Sequence, residues 1–244
     1  LYRLLGDRPS NFRVYKVNAE IEETTADSII IYGDTPIWLT KAGMYYFDGQ
    51  TARLMPNARQ IKGFLANVDL STCKGAENRD RLYFTARENG STVDNVMVVY
   101  DIPNKTYMIR RGFTVADICS GSGTLYMINE NGYVYRMEEG NTYDGIPIEA
   151  YWQTPLTDLN GKYENKQLVN MFMRGEGDAP ILLECRAGKT INTHRVLLPK
   201  NEYDVAELPL KNLGRTVSFC LKNEQGGRWT IKGGIQVEFS VTGG

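Results

Sequence analysis

Apolar and polar positions alternate over short distances along most of the chain, and the alternation breaks every few residues at Gly, Asn, Asp or Pro. Successive side chains of a strand point to opposite faces, so this pattern predicts short strands joined by tight turns. Thr124 to Gly140, TLYMINENGYVYRMEEG, illustrates it. Leu125 and Met127 precede Asn131-Gly132, and Tyr133, Tyr135 and Met137 follow. The stretch reads as a hairpin whose Asn-Gly pair supplies the positive φ angles of a tight turn. Long runs with helical periodicity are missing.

The same layout occurs twice upstream. Ile37 in IWLT, Leu82 in LYFT and Leu125 in LYMI open equivalent strands 45 and 43 residues apart. A strand rich in small residues precedes each: DSIIIYG, VDLSTCKGA and VADICSGSG. A second aromatic strand follows each (MYYF, MVVYDI, YVYRM), and the first two units add a fourth, TARLM and TYMIRR. Four short strands every ~40–45 residues is the signature of a β-propeller blade. Small residues suit innermost strands, which crowd around the axis.

About three blades fit before residue 145, fewer than the roughly four to eight that close a ring. The chain starts LYRLLGDRPS, without an initiator methionine. Upstream blades, or a partner that covers the sheet edges, are therefore expected. Residues 1–19 read as an outer strand of a preceding blade. Beyond Asp144-Gly145 and Pro147 the period is lost. Candidate strands are 146–153, 167–174, 181–186, 194–198, 205–209, 216–222 and 235–241, the last alternating Ile235, Val237, Phe239 and Val241 on one face. They predict an antiparallel β-sandwich. The expectation is an all-β chain: a partial propeller over 1–145, then a sandwich over 146–244.

Composition narrows the function classes. The chain has 244 residues, 42% hydrophobic and 23% charged, with 15 Tyr and 24 Gly. The formal net charge is −1, with 16 basic and 19 acidic side chains in residues 1–150, so bulk electrostatics gives no grip on nucleic acid or an anionic membrane. No apolar run approaches the ~20 residues of a membrane span.

The passage from Glu138 to Gly177 resembles the exit from the last propeller blade of bacteriophage and prophage virion proteins. There a D-G-x-x-I-x-A-x-W-x-T strand leads to a Lys-bearing strand and a C-terminal sandwich; the matching positions are Asp144, Gly145, Ile148, Ala150, Trp152, Thr154 and Lys166. Similar architecture occurs in tail hub, nozzle and packaged-DNA-stabilisation proteins of short-tailed phages. The resemblance implies a virion component at the tail or head–tail junction, made in the bacterial cytoplasm. Its partners would be other virion proteins and copies of itself in a ring, through which DNA passes without tight binding. No catalytic residues come with it.

The chemistry-bearing residues agree with a non-enzyme that needs no metal or cofactor. His194 is the only histidine, no G-x-S-x-G elbow accompanies it, and the GKT at Gly188–Thr190 lacks the upstream glycine of a phosphate loop. Cys73, Cys119, Cys185 and Cys220 stand singly and read as free thiols, with a Cys185–Cys220 disulfide left open. Asp158, Asn160 and Glu164 loosely resemble a Ca²⁺ loop, but their spacing fits a polar hairpin better. The sequons at Asn89 and Asn104 matter only in a secreted protein. Asp27, Asp69 and Asp117 stand near the starts of the three inner strands, so they are candidates for carboxylates at one channel mouth. They, with Trp38, Trp152 and Trp229, carry the alternative reading of a glycan-binding or glycan-cleaving propeller.

Overall fold

The computed structural model describes residues 2–17, 24–161, 164–199, 204–224 and 226–242. It divides into two compact units, Leu1–Glu139 and Gly140–Gly244. The first opens with an exposed hairpin, β1 (Tyr2–Leu5) with β2 (Arg13–Lys16). Three antiparallel meanders follow, each paired in chain order. The first comprises β3 (Ile30–Tyr32), β4 (Thr35–Thr40), β5 (Gly43–Phe47) and β6 (Ala52–Leu54). The second comprises β7 (Gly75–Asn78), β8 (Arg81–Ala86), β9 (Asp94–Asp101) and β10 (Thr106–Val115). The third has β11 (Asp117–Gly121), β12 (Thr124–Ile128) and β13 (Val134–Arg136). These are the blades of a partial propeller, each strand in the order read from the 45- and 43-residue repeat.

The inner strands are neighbours, as the small residues require. The Ser120 hydroxyl of β11 donates to the Glu77 carbonyl of β7. A Cβ on Gly75 would lie 2.7 Å from Ile30 of β3 and 2.9 Å from the Ser28 carbonyl, so only glycine fits. The middle blade is buried on both faces. Leu82, Phe84, Val96, Val98 and Tyr100 pack with Ile37, Leu39 and Met44 of the first blade, and with Ile61 and Leu65 beside the short helix α1 (Lys62–Leu65). Tyr83, Met97 and Val99, on the opposite face of the same strands, are buried as well. In the third blade, β12 alternates instead, with Leu125 and Met127 buried between half-exposed neighbours.

Two local expectations are corrected. The second inner strand begins at Gly75 rather than within VDLSTC. The Asp69 carboxylate accepts the Ser71 N–H at 2.8 Å, an Asx turn that leaves Asp69 with only an isolated bridge to Arg87. In the Thr124–Gly140 hairpin Gly132 takes a positive φ (82°) but Asn131 does not. Asn129 organises that turn, its Oδ1 accepting the Asn131 and Tyr133 N–H groups.

In the second unit β14 (Thr142–Tyr143) and β15 (Ile146–Pro147) form a small hairpin. Then come β16 (Tyr151–Gln153), β17 (Asn165–Gly177), β18 (Ile181–Ala187), β19 (Thr190–Val196), β20 (Val205–Pro209), β21 (Leu213–Gly214), β22 (Val217–Asn223) and β23 (Trp229–Thr242). One sheet runs β16-β22-β18-β19; in the other, β17 pairs with β20, β21 and β23. Leu168, Met171 and Met173 of one sheet pack with Leu183, Cys185, Phe219 and Leu221 of the other to form the sandwich core. The strand expected over 146–153 is two strands, because Pro147 cannot donate to a ladder.

Asp144, Gly145, Ile148, Ala150, Trp152, Thr154 and Lys166 each have a physical task here. Asp144 (φ 51°) and Gly145 (φ 81°) turn the β14–β15 hairpin. The Ile148 carbonyl and the Ala150 N–H are both held by the Asn223 side chain, at 2.7 Å each. Trp152 pairs with Leu221, and Thr154 exchanges hydrogen bonds with the Phe219 backbone. Lys166 is 1% exposed, and its ammonium donates to the Gly161 and Arg215 carbonyls.

Candidate functional site

The β7–β8 turn places two non-glycine residues, Arg79 (φ 48°) and Asp80 (φ 60°), in the left-handed region that a two-residue hairpin demands. Each costs roughly 1–2 kcal/mol relative to glycine. Glu138, just after β13, is held the same way (φ 66°). Three of the ten positive-φ residues other than glycine found among the described residues thus line one pocket. Its volume is about 410 Å³, and Asn78, Arg81, Tyr83, Asp101, Pro103 and Asn104 complete it. Backbone strain concentrated at one concavity marks a site the rest of the fold must support.

Supporting ion pairs join strands far apart in sequence. Arg81 at the start of β8 donates from Nε to Asp101 Oδ2 (3.3 Å) and from Nη1 to Glu138 Oε2 (3.1 Å). Arg110 of β10 takes both oxygens of Glu138 in a fork and lies over the Tyr83 ring, 5.9 Å from its centroid. Asp101 Oδ1 accepts the backbone and side-chain N–H groups of Asn104, each at 2.9 Å. From the first blade the Tyr32 hydroxyl donates to Asp80 Oδ1 at 2.5 Å. All three blades therefore contribute to this rim.

These contacts set the protonation states. Burial alone would raise the carboxyl pKa of Glu138, but Arg110 and Arg81 outweigh it, and the pKa lies below its ordinary 4.5. Asp101 is likewise held low, the Asn104 N–H and Arg81 overcoming desolvation. Burial, then the nearby Glu138 charge, pushes the Tyr83 hydroxyl up. At neutral pH the site is a set of ionised carboxylates locked to guanidiniums, and neither Glu138 nor Asp101 holds a proton to donate.

The carboxylates singled out from sequence lie elsewhere. Asp27 sits in a 3₁₀ turn ahead of β3 and pairs loosely with Lys74 (3.7 Å). Asp69 pairs with Arg87 (3.2 Å), and its pKa is lowered by the Ser71 N–H and then by Arg87. Asp117 begins β11 and accepts the Ile118 N–H at 2.9 Å. Asp117 opens β11 and Asp27 and Asp69 lie ahead of β3 and β7, whereas the pocket lies where β7 ends. Among the described residues no group of three or more His, Cys, Asp or Glu could hold a metal ion. Near Asp69, the buried Asp94 accepts hydroxyl hydrogen bonds from Thr72 and Thr85, both at 2.5 Å, beside Arg87.

His194 lies mid-strand in β19, half-buried, with its Nε2 lacking a partner. Asp158 Oδ1 accepts the Asn160 N–H at 3.2 Å in a turn where Leu159 (φ 46°) and Asn160 (φ 68°) are left-handed, and the Lys166 ammonium donates to the Gly161 carbonyl. All four cysteines are free; Cys185 faces Phe219 across the ladder and Cys220 faces Glu184, which puts the two thiols on opposite faces of the sheet. Trp38 stacks on Tyr45 at 6.2 Å, and Trp229 packs against the sandwich core. Trp152 remains 46% exposed.

Sequence reasoning missed the rim site because its members are tens of residues apart. The available signal was charge at strand ends: Arg81 opens an otherwise apolar strand, and Arg110 and Glu138 flank apolar runs.

No family model matches the chain, and no curated protein matches it. A solved structure titled "Glycoside hydrolase" matches over 94% of this chain and 78% of its own, at 8% identity and a TM-score of 0.28. A likeness that low carries no argument for fold or activity.

Proposed function

We propose that the chain is a structural, non-catalytic subunit of a bacteriophage or prophage virion, at the tail or head–tail junction. It works by shape, joining other virion proteins and its own copies in a ring. The observation that carries the assembly role is the contrast among blades. The middle blade is covered on both faces, while the flanking blades keep large apolar side chains in solvent: Ile29 and Ile31 beside the first, Tyr133 and Val134 in the third. Such surface is suited to contact with further protein. Ionised, guanidinium-locked carboxylates at the rim favour a load-carrying lattice over acid–base chemistry.

The virion assignment rests on the motif from Asp144 to Lys166, whose residues dock β16 and anchor β17. A net charge of −1 suits a conduit to which DNA should not adhere. Negative-stain electron microscopy and sedimentation of the purified protein test the reading. Rings or discrete oligomers are the expected result. A strictly monomeric species at high concentration, or nanomolar affinity for duplex DNA at physiological salt, refutes it.

A further inference from the structure

We propose that the rim pocket between the second and third blades binds a neutral saccharide ring through a pair of adjacent hydroxyls. The proposal goes beyond the structural role above and does not depend on it. The pocket, about 410 Å³, falls within the roughly 300–1,000 Å³ typical of small-molecule sites. Asn78 supplies the decisive observation. It is 4% exposed and lines the pocket, yet its carboxamide makes no hydrogen bond among the described residues. Its oxygen and nitrogen are not among the buried side-chain atoms that lack a partner, so they open onto the pocket, where a ligand that enters can take the hydrogen bonds that water would otherwise make.

Two further groups flank it with complementary capacity. Asp80 uses Oδ1 for the Tyr32 hydroxyl, leaving Oδ2 to accept. Arg79 presents an exposed guanidinium from the same turn. A ligand that fills this arrangement must donate to a carboxylate, accept from a guanidinium and do both with a carboxamide. Vicinal hydroxyls meet that demand, since each both donates and accepts.

Charge excludes the simpler alternatives. Arg79, Arg81 and Arg110 balance Asp80, Asp101 and Glu138, so the surroundings favour neither an anion nor a cation. Pro103 offers a small apolar patch for the C–H face of a ring. The positive φ angles of Arg79, Asp80 and Glu138 show backbone held against its preference around the cavity, which fixes these donors and acceptors before a ligand arrives.

Saturation-transfer NMR on the full chain tests this, with glucose, galactose, mannose and N-acetylglucosamine as separate probes at about 10 mM, the range set by millimolar affinities. Inorganic phosphate is the charged control. At least one sugar is expected to bind. Asn78→Ala should weaken it about tenfold, and Arg79→Gly several-fold, the loss of one hydrogen-bonding group in each case. Glycine at position 79 suits the φ of 48°, so that variant keeps its turn and decides alone if Asn78→Ala fails to fold. Binding of none of the sugars, binding of phosphate alone, or sugar binding unchanged in the folded variants overturns the proposal.

Discussion

Substituting Glu138→Gln removes one charge from the centre of the rim lattice and leaves the shape almost unchanged. Arg81 and Arg110 would then face each other across a neutral amide. The side chains of Glu138, Arg110 and Arg81 are 19%, 22% and 37% exposed, so the cluster is neither a surface pair nor a fully buried one. Exposed pairs contribute at most about 1 kcal/mol, and breaking a buried pair costs about 3–5 kcal/mol. Partial exposure places this loss near ~2 kcal/mol, a fall of about 6 °C in Tm for a unit of this size. Peptide-resolved hydrogen exchange locates the effect: β8, β10 and β12 should lose protection while β17 to β22 keep theirs. pH supplies a second signature. Folding depresses the Glu138 pKa, so its contribution is full above the unfolded value near 4.5 and is lost as pH falls through the lower folded value. The gap between wild type and variant should therefore be complete at pH 7 and close under acid conditions. An unchanged Tm at pH 7, or a gap of equal size at every pH, refutes a stabilising role for the Glu138 ion pairs.

Three further outcomes are expected. Gly175→Ala should destabilise the sandwich by about 2–3 kcal/mol, read by urea denaturation, because the new Cβ would lie 2.2 Å from the Thr230 carbonyl where β17 bulges against β23. Lys166→Met should cost about 2 kcal/mol by the same assay, since it strips the Gly161 and Arg215 carbonyls of their donor while preserving bulk. Thiol titration of the native protein should show one fast-reacting cysteine, the exposed Cys119, and all four after denaturation. Cys73, Cys185 and Cys220 are buried, and burial pushes the Cys185 thiol up to about 11.

Much of the fold was legible because blade strands are short, sequential and patterned within themselves. The strands read at Ile37, Leu82 and Leu125 are β4, β8 and β12, with Ile37 third in its strand and Leu82 and Leu125 second in theirs, a one-residue offset in the first blade. Legibility failed where a side chain competed with the ladder, as Asp69 does in delaying β7, and where Pro147 divided one apolar run into β15 and β16. The rim pocket was illegible for a different reason. Arg81 and Glu138 lie 57 residues apart, and nothing periodic relates them. The β7–β8 turn also lacks its usual Asn-Gly label, because Arg79 and Asp80 adopt left-handed angles without it. Strain of that kind appears only once the surrounding packing is known.

The two-sided burial of the middle blade bears on the order of synthesis. Each meander completes its backbone pairing within about 45 residues, so a blade can form soon after it leaves the ribosome. Its second face stays wet until the next meander emerges and covers it. Every blade is thus briefly a template for its successor, and a pause in translation after Asp101 or Val115 would leave Tyr83, Met97 and Val99 open to a neighbouring nascent chain.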